Sequence, residues 1–198
     1  MPSPARAQST LSPDAALDEL MAGNRRFVEE HMVSFAEDLA ILKQDTAEKQ
    51  EPFAAVLACA DSRVPVELVF DQSIGHIFVT RVAGNIASSD VIASLEYGAA
   101  VLGTKVILVL GHSNCGAVKA AIAGKAVPGQ ISGLYPYIRP AVEQAGPDPA
   151  ATSRANARNQ ARLLATASPV IAELIGKGAI KVAAGYYDVA TGEVSLLG

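Results

Sequence analysis

Two short apolar runs, each stopped by a polar stretch that carries a cysteine, constrain this chain more than any other feature. Phe53-Ala54-Ala55-Val56-Leu57-Ala58 runs into Cys59-Ala60-Asp61-Ser62-Arg63, and Val106-Ile107-Leu108-Val109-Leu110-Gly111 runs into His112-Ser113-Asn114-Cys115-Gly116. Runs of this length, apolar throughout, the second rich in β-branched residues, and both bounded by punctuation, have the pattern of parallel strands buried on both faces. Polar residues released at the C-terminal ends of such strands open into the crevice where α/β sheets hold their ligands. The two stretches contain both cysteines and one of the three histidines. Two thiolates and one imidazole form a catalytic zinc set with the fourth tetrahedral position open. Sulfur ligands favour zinc over magnesium or calcium. A structural zinc site normally shows four Cys or His ligands, and only three are offered here.

The rest of the composition narrows the class of protein. A chain of 198 residues fits one domain with an extra arm, so residues 1–198 are read as a single domain. Half of the residues are hydrophobic but only 5% are aromatic, so the core must be built mainly from Ala, Val, Ile and Leu. A net charge of −4 argues against a nucleic-acid groove or an anionic membrane surface as the partner. No apolar stretch approaches the roughly 20 residues needed to span a bilayer. Residues 1–10 have early prolines and no apolar signal region, which points to a cytoplasmic protein. In that reducing compartment a disulfide is disfavoured, and metal ligation is the better use of Cys59 and Cys115.

Residues 1–11 are expected to form a flexible tail and residues 12–49 a helical arm. Ser12-Pro13-Asp14 carries the signals of a helix start, and Leu17, Leu20, Met21 and Phe27 supply its apolar stripe. Gly23-Asn24 suggests a break, and the charged segment from Glu29 to Lys49 suggests more helix with irregular joints. Such an arm, lacking a core of its own, is expected to pack on a partner subunit. Residues 50–198 form the α/β core. Strands are predicted over 53–58, 77–82, 105–110, 180–187 and 193–197, the last two as a hairpin about Ala190-Thr191-Gly192. Helices are predicted over 65–70, 88–102, 116–123, 153–167 and 169–175, with a loop and a short helix between Gly129 and Pro147. Strands alternating with helices give a mostly parallel sheet of four to five strands flanked by helices.

Two residues beside the metal set carry further chemistry. Asp61 has two roles open to it: fourth metal ligand, or acceptor of a hydrogen bond from a water on the metal. Arg63 can hold that carboxylate through a charge-assisted, bidentate pair. Other motifs fail on inspection. Gly111 to Gly116 lacks the internal glycine of a dinucleotide fingerprint and the Lys-Ser/Thr of a phosphate loop, and the glycines around Ser113 do not make a nucleophile elbow.

Taken in order, the Cys59–Arg63 and His112–Gly116 stretches resemble the signature of the β-class carbonic anhydrases. The similarity extends through Phe78-Val79-Thr80-Arg81-Val82-Ala83-Gly84-Asn85, Leu95-Glu96-Tyr97 and Gly185-Tyr186-Tyr187-Asp188. The resemblance implies a zinc enzyme that reversibly hydrates carbon dioxide to bicarbonate and a proton, with one Zn2+ per subunit on Cys59, His112 and Cys115. It implies that zinc-bound hydroxide is oriented by an Asp61–Arg63 dyad. It also implies a homodimer or larger homo-oligomer with the active site at the interface. Gln50 falls where plant-type members have a substrate-binding glutamine. Phe78, Ala83 and Tyr97 match positions lining the pocket from the other subunit, Ala83 replacing a valine. Val56 and Ala58 stand where members with a closed, Asp-ligated zinc have Trp and Gly, so the open type is expected here.

Two rival functions stay in view. Relatives of this fold hydrolyse carbonyl sulfide or carbon disulfide with the same zinc set. A non-catalytic zinc or redox-sensing protein would also use the thiolates, although a metal holder needs none of Asp61, Arg63 and Gln50.

Overall fold

The computed structural model describes residues 9–34, 46 and 49–198. Its sheet has five strands: β1 (Ala54–Ala58), β2 (Ile77–Arg81), β3 (Val106–His112), β4 (Lys181–Tyr187) and β5 (Val194–Leu197). They lie in the order β2-β1-β3-β4-β5. The first four are mutually parallel and β5 closes the sheet antiparallel to β4. The expected hairpin is therefore present, and β3 runs two residues past its expected end, so that His112 is part of the strand.

The central strands are buried on both faces, and their side chains divide by the two-residue period of a strand. Ala54, Val56 and Ala58 of β1, with Val106, Leu108 and Leu110 of β3, face helices α1 (Pro13–Val28) and α2 (Val66–Val69). Ala55, Leu57, Ile107 and Val109 face the opposite layer. That layer comprises α3 (Ser89–Glu96), which widens into a π-turn over Tyr97–Val101, α6 (Pro149–Ala167) and α7 (Pro169–Gly176). Helices α4 (Gly116–Ala123) and α5 (Tyr135–Ala145) pack together beyond the C-terminal end of the sheet. Full burial of a leucine such as Leu20, Leu57 or Leu108 contributes about 2 kcal/mol.

Several expectations need correction. α1 does not break at Gly23-Asn24. A Cβ on Gly23 would lie 1.8 Å from the Phe70 carbonyl oxygen, so glycine is there because the helix crosses the backbone after α2 at contact distance. Asn24 is buried and fully used: its Nδ2 donates to the carbonyls of Val69 and Gly192, and its Oδ1 accepts from Val194 N. Over α1, the N-terminal arm packs on the sheet of its own chain through Ala16, Leu17 and Leu20. The helix expected beyond Glu29 does not form at residues 31–33; residues 35–45, 47 and 48 lie outside the described set. The 129–147 segment is mostly helix, a 3-10 turn at Ile131–Leu134 followed by the eleven residues of α5. Pro136 sits at its permissive first turn. α6 begins at Pro149, where Asp148 caps it by accepting from Ala150 N and Ala151 N.

Candidate active site

The strand order decides where a ligand can enter. From β1 the chain crosses to β2 on one side and then to β3 on the other. The loops leaving the C-terminal ends of β1 and β3 therefore diverge and leave a crevice between them. Cys59 follows β1 directly, His112 ends β3, and Cys115 is the residue before α4. The register pairs Ala58 with Leu110, which sets Cys59 level with Gly111. Asn114 adopts a left-handed φ of 57°, turning the chain sharply enough to bring Cys115 back beside His112.

The three ligand atoms lie within 4.8 Å of one another. The two sulfurs are 4.0 Å apart. Tetrahedral zinc with Zn–S bonds near 2.3 Å sets its sulfurs roughly 3.8 Å apart, whereas a disulfide needs about 2.05 Å. The His112 Nδ1 stands 2.9 Å from the Ser113 carbonyl oxygen. A carbonyl only accepts, so Nδ1 carries the proton and Nε2 presents its lone pair. That Nε2 is fully buried and has no hydrogen-bond partner. An orphaned acceptor aimed at two thiols is a donor set that could hold a metal ion, and the residues present fit zinc.

The surroundings favour sulfur in its ionised form. The Cys115 thiol beside it holds Cys59 down to about 4, against burial, with help from His112 and from the backbone N–H groups of Gly84 and Asp61. Gly84 N lies 3.3 Å from the Cys59 sulfur. Cys115 is pushed up by that neighbouring thiolate and by burial, while the Ala117 and Val118 N–H groups at the start of α4 favour its thiolate. Metal-free, the pair shares one negative charge; a divalent cation would let both thiols ionise.

Asp61 and Arg63 form the expected bidentate pair. Arg63 Nε donates to Oδ1 at 2.9 Å and Nη2 to Oδ2 at 2.7 Å, while the Arg63 backbone N adds a bond to Oδ1 at 3.0 Å. Arg63 Nη2 also reaches the Asn114 carbonyl at 3.3 Å, tying the β1 loop to the β3 loop. These contacts hold the Asp61 carboxyl far below the usual carboxylate range, outweighing its partial burial. Its Oδ2 is 4.0 Å from His112 Nε2, so the anion looks toward the ligand set while it is held by the arginine.

Arg81, at the end of β2, was not singled out as a site residue by the sequence reasoning. Its Nε donates to the Cys59 carbonyl at 3.0 Å and its Nη2 to the Asp61 carbonyl at 2.5 Å. It thereby braces the backbone of the loop carrying the first ligand and the carboxylate. Its strand position and the three-dimensional approach of β2 to β1 make this role invisible in a linear motif.

The other expected pocket residues are dispersed. Gln50 is exposed and precedes β1, at the opposite end of the strand from Cys59. Phe78 and Tyr97 pair with each other, ring centroids 6.4 Å apart and planes tilted by 45°. Phe78 lies in register with Ala55, well back from the end of the sheet. Ala83 precedes Gly84, whose N–H meets the Cys59 sulfur, so it adjoins the ligand set of its own chain.

Comparison with known proteins agrees with this geometry. The family model described as carbonic anhydrase matches residues 54–194. "Carbonic anhydrase 2" of Mycobacterium tuberculosis is 42% identical over 139 residues, which cover 69% of this chain and 64% of that protein. The match thus takes in somewhat less than two thirds of that relative's length. The β-carbonic anhydrase of Coccomyxa, solved in complex with acetazolamide, superimposes with a TM-score of 0.72 at 29% identity, covering 91% of this chain and 86% of the other. A tetrameric β-carbonic anhydrase of Sordaria macrospora shares the fold, with a TM-score of 0.71 at 22% identity over 92% of this chain and 96% of the other. With a Cys-His-Cys ligand set at the sheet's switch point and a family match spanning most of its length, the chain belongs to the β-class carbonic anhydrases.

Proposed function

We propose that this protein catalyses the reversible hydration of carbon dioxide to bicarbonate and a proton, using one zinc ion per subunit held by Cys59, His112 and Cys115. The observation that carries the proposal is the buried, unpaired His112 Nε2 converging with two cysteine sulfurs beside an arginine-held carboxylate. Zinc, when bound there, acidifies a coordinated water, an effect for which carbonic anhydrase is itself the standard case. The chain's own residues supply the rest. Asp61, kept anionic by Arg63, accepts a hydrogen bond from the attacking water and orients its oxygen toward the substrate. Arg63 fixes the carboxylate in one rotamer and keeps it off the ligand set, the arrangement of an open site. Arg81 holds the loop that carries both Cys59 and Asp61.

A homo-oligomer with the substrate pocket at its interface belongs to the same proposal. Gln50, Phe78 and Tyr97 stand too far along their strands and helices to wall the ligand set of their own chain, so a second copy would supply them. Tyr97 and Val101 are 48% and 45% exposed on the π-turn beside β2, which is an edge strand among the described residues. The related Sordaria protein is tetrameric. No described helix is long and apolar enough to cross a membrane. A cytoplasmic location completes the reading, because both thiols must stay reduced to hold metal.

The test is stopped-flow carbon dioxide hydration between about pH 6.5 and 9, with zinc per subunit measured on the same sample. Fast hydration throughout, with about one zinc per chain, supports the proposal. Activity that vanishes toward acid while zinc stays bound would mean that Asp61 leaves Arg63 and closes the site. Bound zinc with no hydration at any pH would redirect the assay to carbonyl sulfide and carbon disulfide.

A further inference from the structure

Helix α6 buries a stripe of polar side chains that the mechanism above leaves unused. Ser153, Asn156 and Gln160 are at most 2% exposed, and their spacing of three and four residues puts them on one face. None of them is unsatisfied. Ser153 Oγ donates to the His112 carbonyl at 2.9 Å. Asn156 Nδ2 donates to the Gly84 carbonyl at 2.8 Å. Gln160 Oε1 accepts from Ala87 N at 2.9 Å, and its Nε2 donates to Asn156 Oδ1 at 3.1 Å and to the Tyr137 carbonyl at 3.0 Å. One helix face therefore grips the end of β3 at a ligand-bearing residue and the turn after β2 at Gly84.

Gly84 is the point where this network meets the ligand set. Its N–H donates to the Cys59 sulfur. Its φ is +77°, and a Cβ there would sit 2.8 Å from Ile138 Cδ1, so the turn is both left-handed and pressed against α5. We infer that Asn156, oriented by Gln160, is a positioning residue that clamps Gly84 so that its N–H is aimed at the Cys59 thiolate. An N–H···S bond withdraws charge from the sulfur, tunes how strongly it donates to the metal and restricts where its lone pairs point. Hydrogen-bonded partners of this kind commonly set metal affinity. Burial of three amide and hydroxyl groups where alanine and leucine would pack favours a specific geometry over bulk stability. The inference rests on Cys59, His112 and Cys115 holding zinc.

The experiment compares the zinc dissociation constant, by chelator competition, and the thiolate-to-metal charge-transfer band of the cobalt-substituted protein. The variants are Asn156→Ala, Gln160→Ala and, as a packing control on the same helix, Leu164→Ala. Asn156→Ala is expected to weaken zinc binding about 10- to 100-fold and to shift the band. Gln160→Ala should do the same at smaller amplitude, and it decides the matter if Asn156→Ala does not fold. Leu164→Ala should lose stability with the band unmoved. Wild-type-like zinc affinity and band position in both polar variants would overturn the inference, as would losses that merely track stability in all three. A wild-type protein that itself binds no zinc would instead overturn the metal assignment beneath it.

Discussion

Replacing Asp61 by Asn tests the centre of the proposed chemistry, because the structure dictates what the amide must do. Three donors converge on the carboxylate: Arg63 N and Nε on Oδ1, and Arg63 Nη2 on Oδ2. The asparagine carbonyl oxygen will take the doubly served Oδ1 position, since its NH2 there would face two donors. The NH2 then occupies the Oδ2 position, opposite Arg63 Nη2 and 4.0 Å from His112 Nε2. The atom that should accept a hydrogen bond from the attacking water becomes a donor, and one charge-assisted bond to Arg63 is lost. General-base and orienting groups contribute about 100- to 10,000-fold to a rate. Part of the site survives, so we expect kcat/KM to fall about 100- to 1,000-fold, or about 3–4 kcal/mol in activation free energy. Zinc content should be unchanged, since Asp61 is not a ligand in this arrangement. The assay is stopped-flow hydration with metal analysis on the same sample. Hydration within threefold of wild type at full zinc occupancy would refute the role assigned to Asp61. Because Arg63 keeps Asp61 ionised well below the assay range, no inflection between pH 6.5 and 9 should belong to it.

Gly23→Ala should destabilise the protein by about 3 kcal/mol, because its Cβ would meet the Phe70 carbonyl at 1.8 Å and α1 would have to lift from the sheet; a urea midpoint unchanged from wild type would show that α1 does not seat there. Asp71 has a side chain with 0% exposure, bonded by Arg26 Nε, Val33 N and Ser34 N. Burial alone would raise its pKa, but those donors together lower it. Its contribution is thus complete above about pH 4 and is lost as pH falls through its depressed native value. Asp71→Ala should cost about 3 kcal/mol at pH 7 and flatten the stability slope below pH 4, read from denaturant curves at several pH values; parallel slopes would contradict this assignment. Zinc removal by a chelator, which should proceed more readily as pH falls and the ligands take up protons, should make Cys59 reactive toward a thiol reagent at neutral pH, ahead of Cys115; thiols equally reactive before and after chelation would argue against metal ligation.

The apolar runs ending at Ala58 and Gly111 determined the two strands that carry the site, since continuous apolar runs too short for a helix and bounded by turn-forming residues fit strands buried on both faces of a sheet. The residue types at 59, 61, 63, 112 and 115 determined the chemistry offered there, because ligand softness and charge belong to the side chains themselves. Local signals also set the capped start of α1 and the hairpin of β4 and β5. What the sequence did not carry was which atoms meet across long separations. Gly23-Asn24 reads as a helix break until Phe70 and Gly192 are seen to require the close approach and the amide. Gly129 to Pro147 reads as a loop with a short helix because its prolines and glycines weaken the helical pattern, yet packing of Ile138 and Ala141 against the core holds all of Tyr135 to Ala145 helical. Ser153, Asn156 and Gln160 of α6 gain their value only from carbonyls and amides brought by β3, the Gly84 turn and α5. The strand order β2-β1-β3, which opens the crevice and lets Arg81 brace the Cys59 loop, likewise exists only once the sheet has assembled. Hydrogen bonds between distant segments leave no periodicity behind, and so they were decided by the tertiary structure alone.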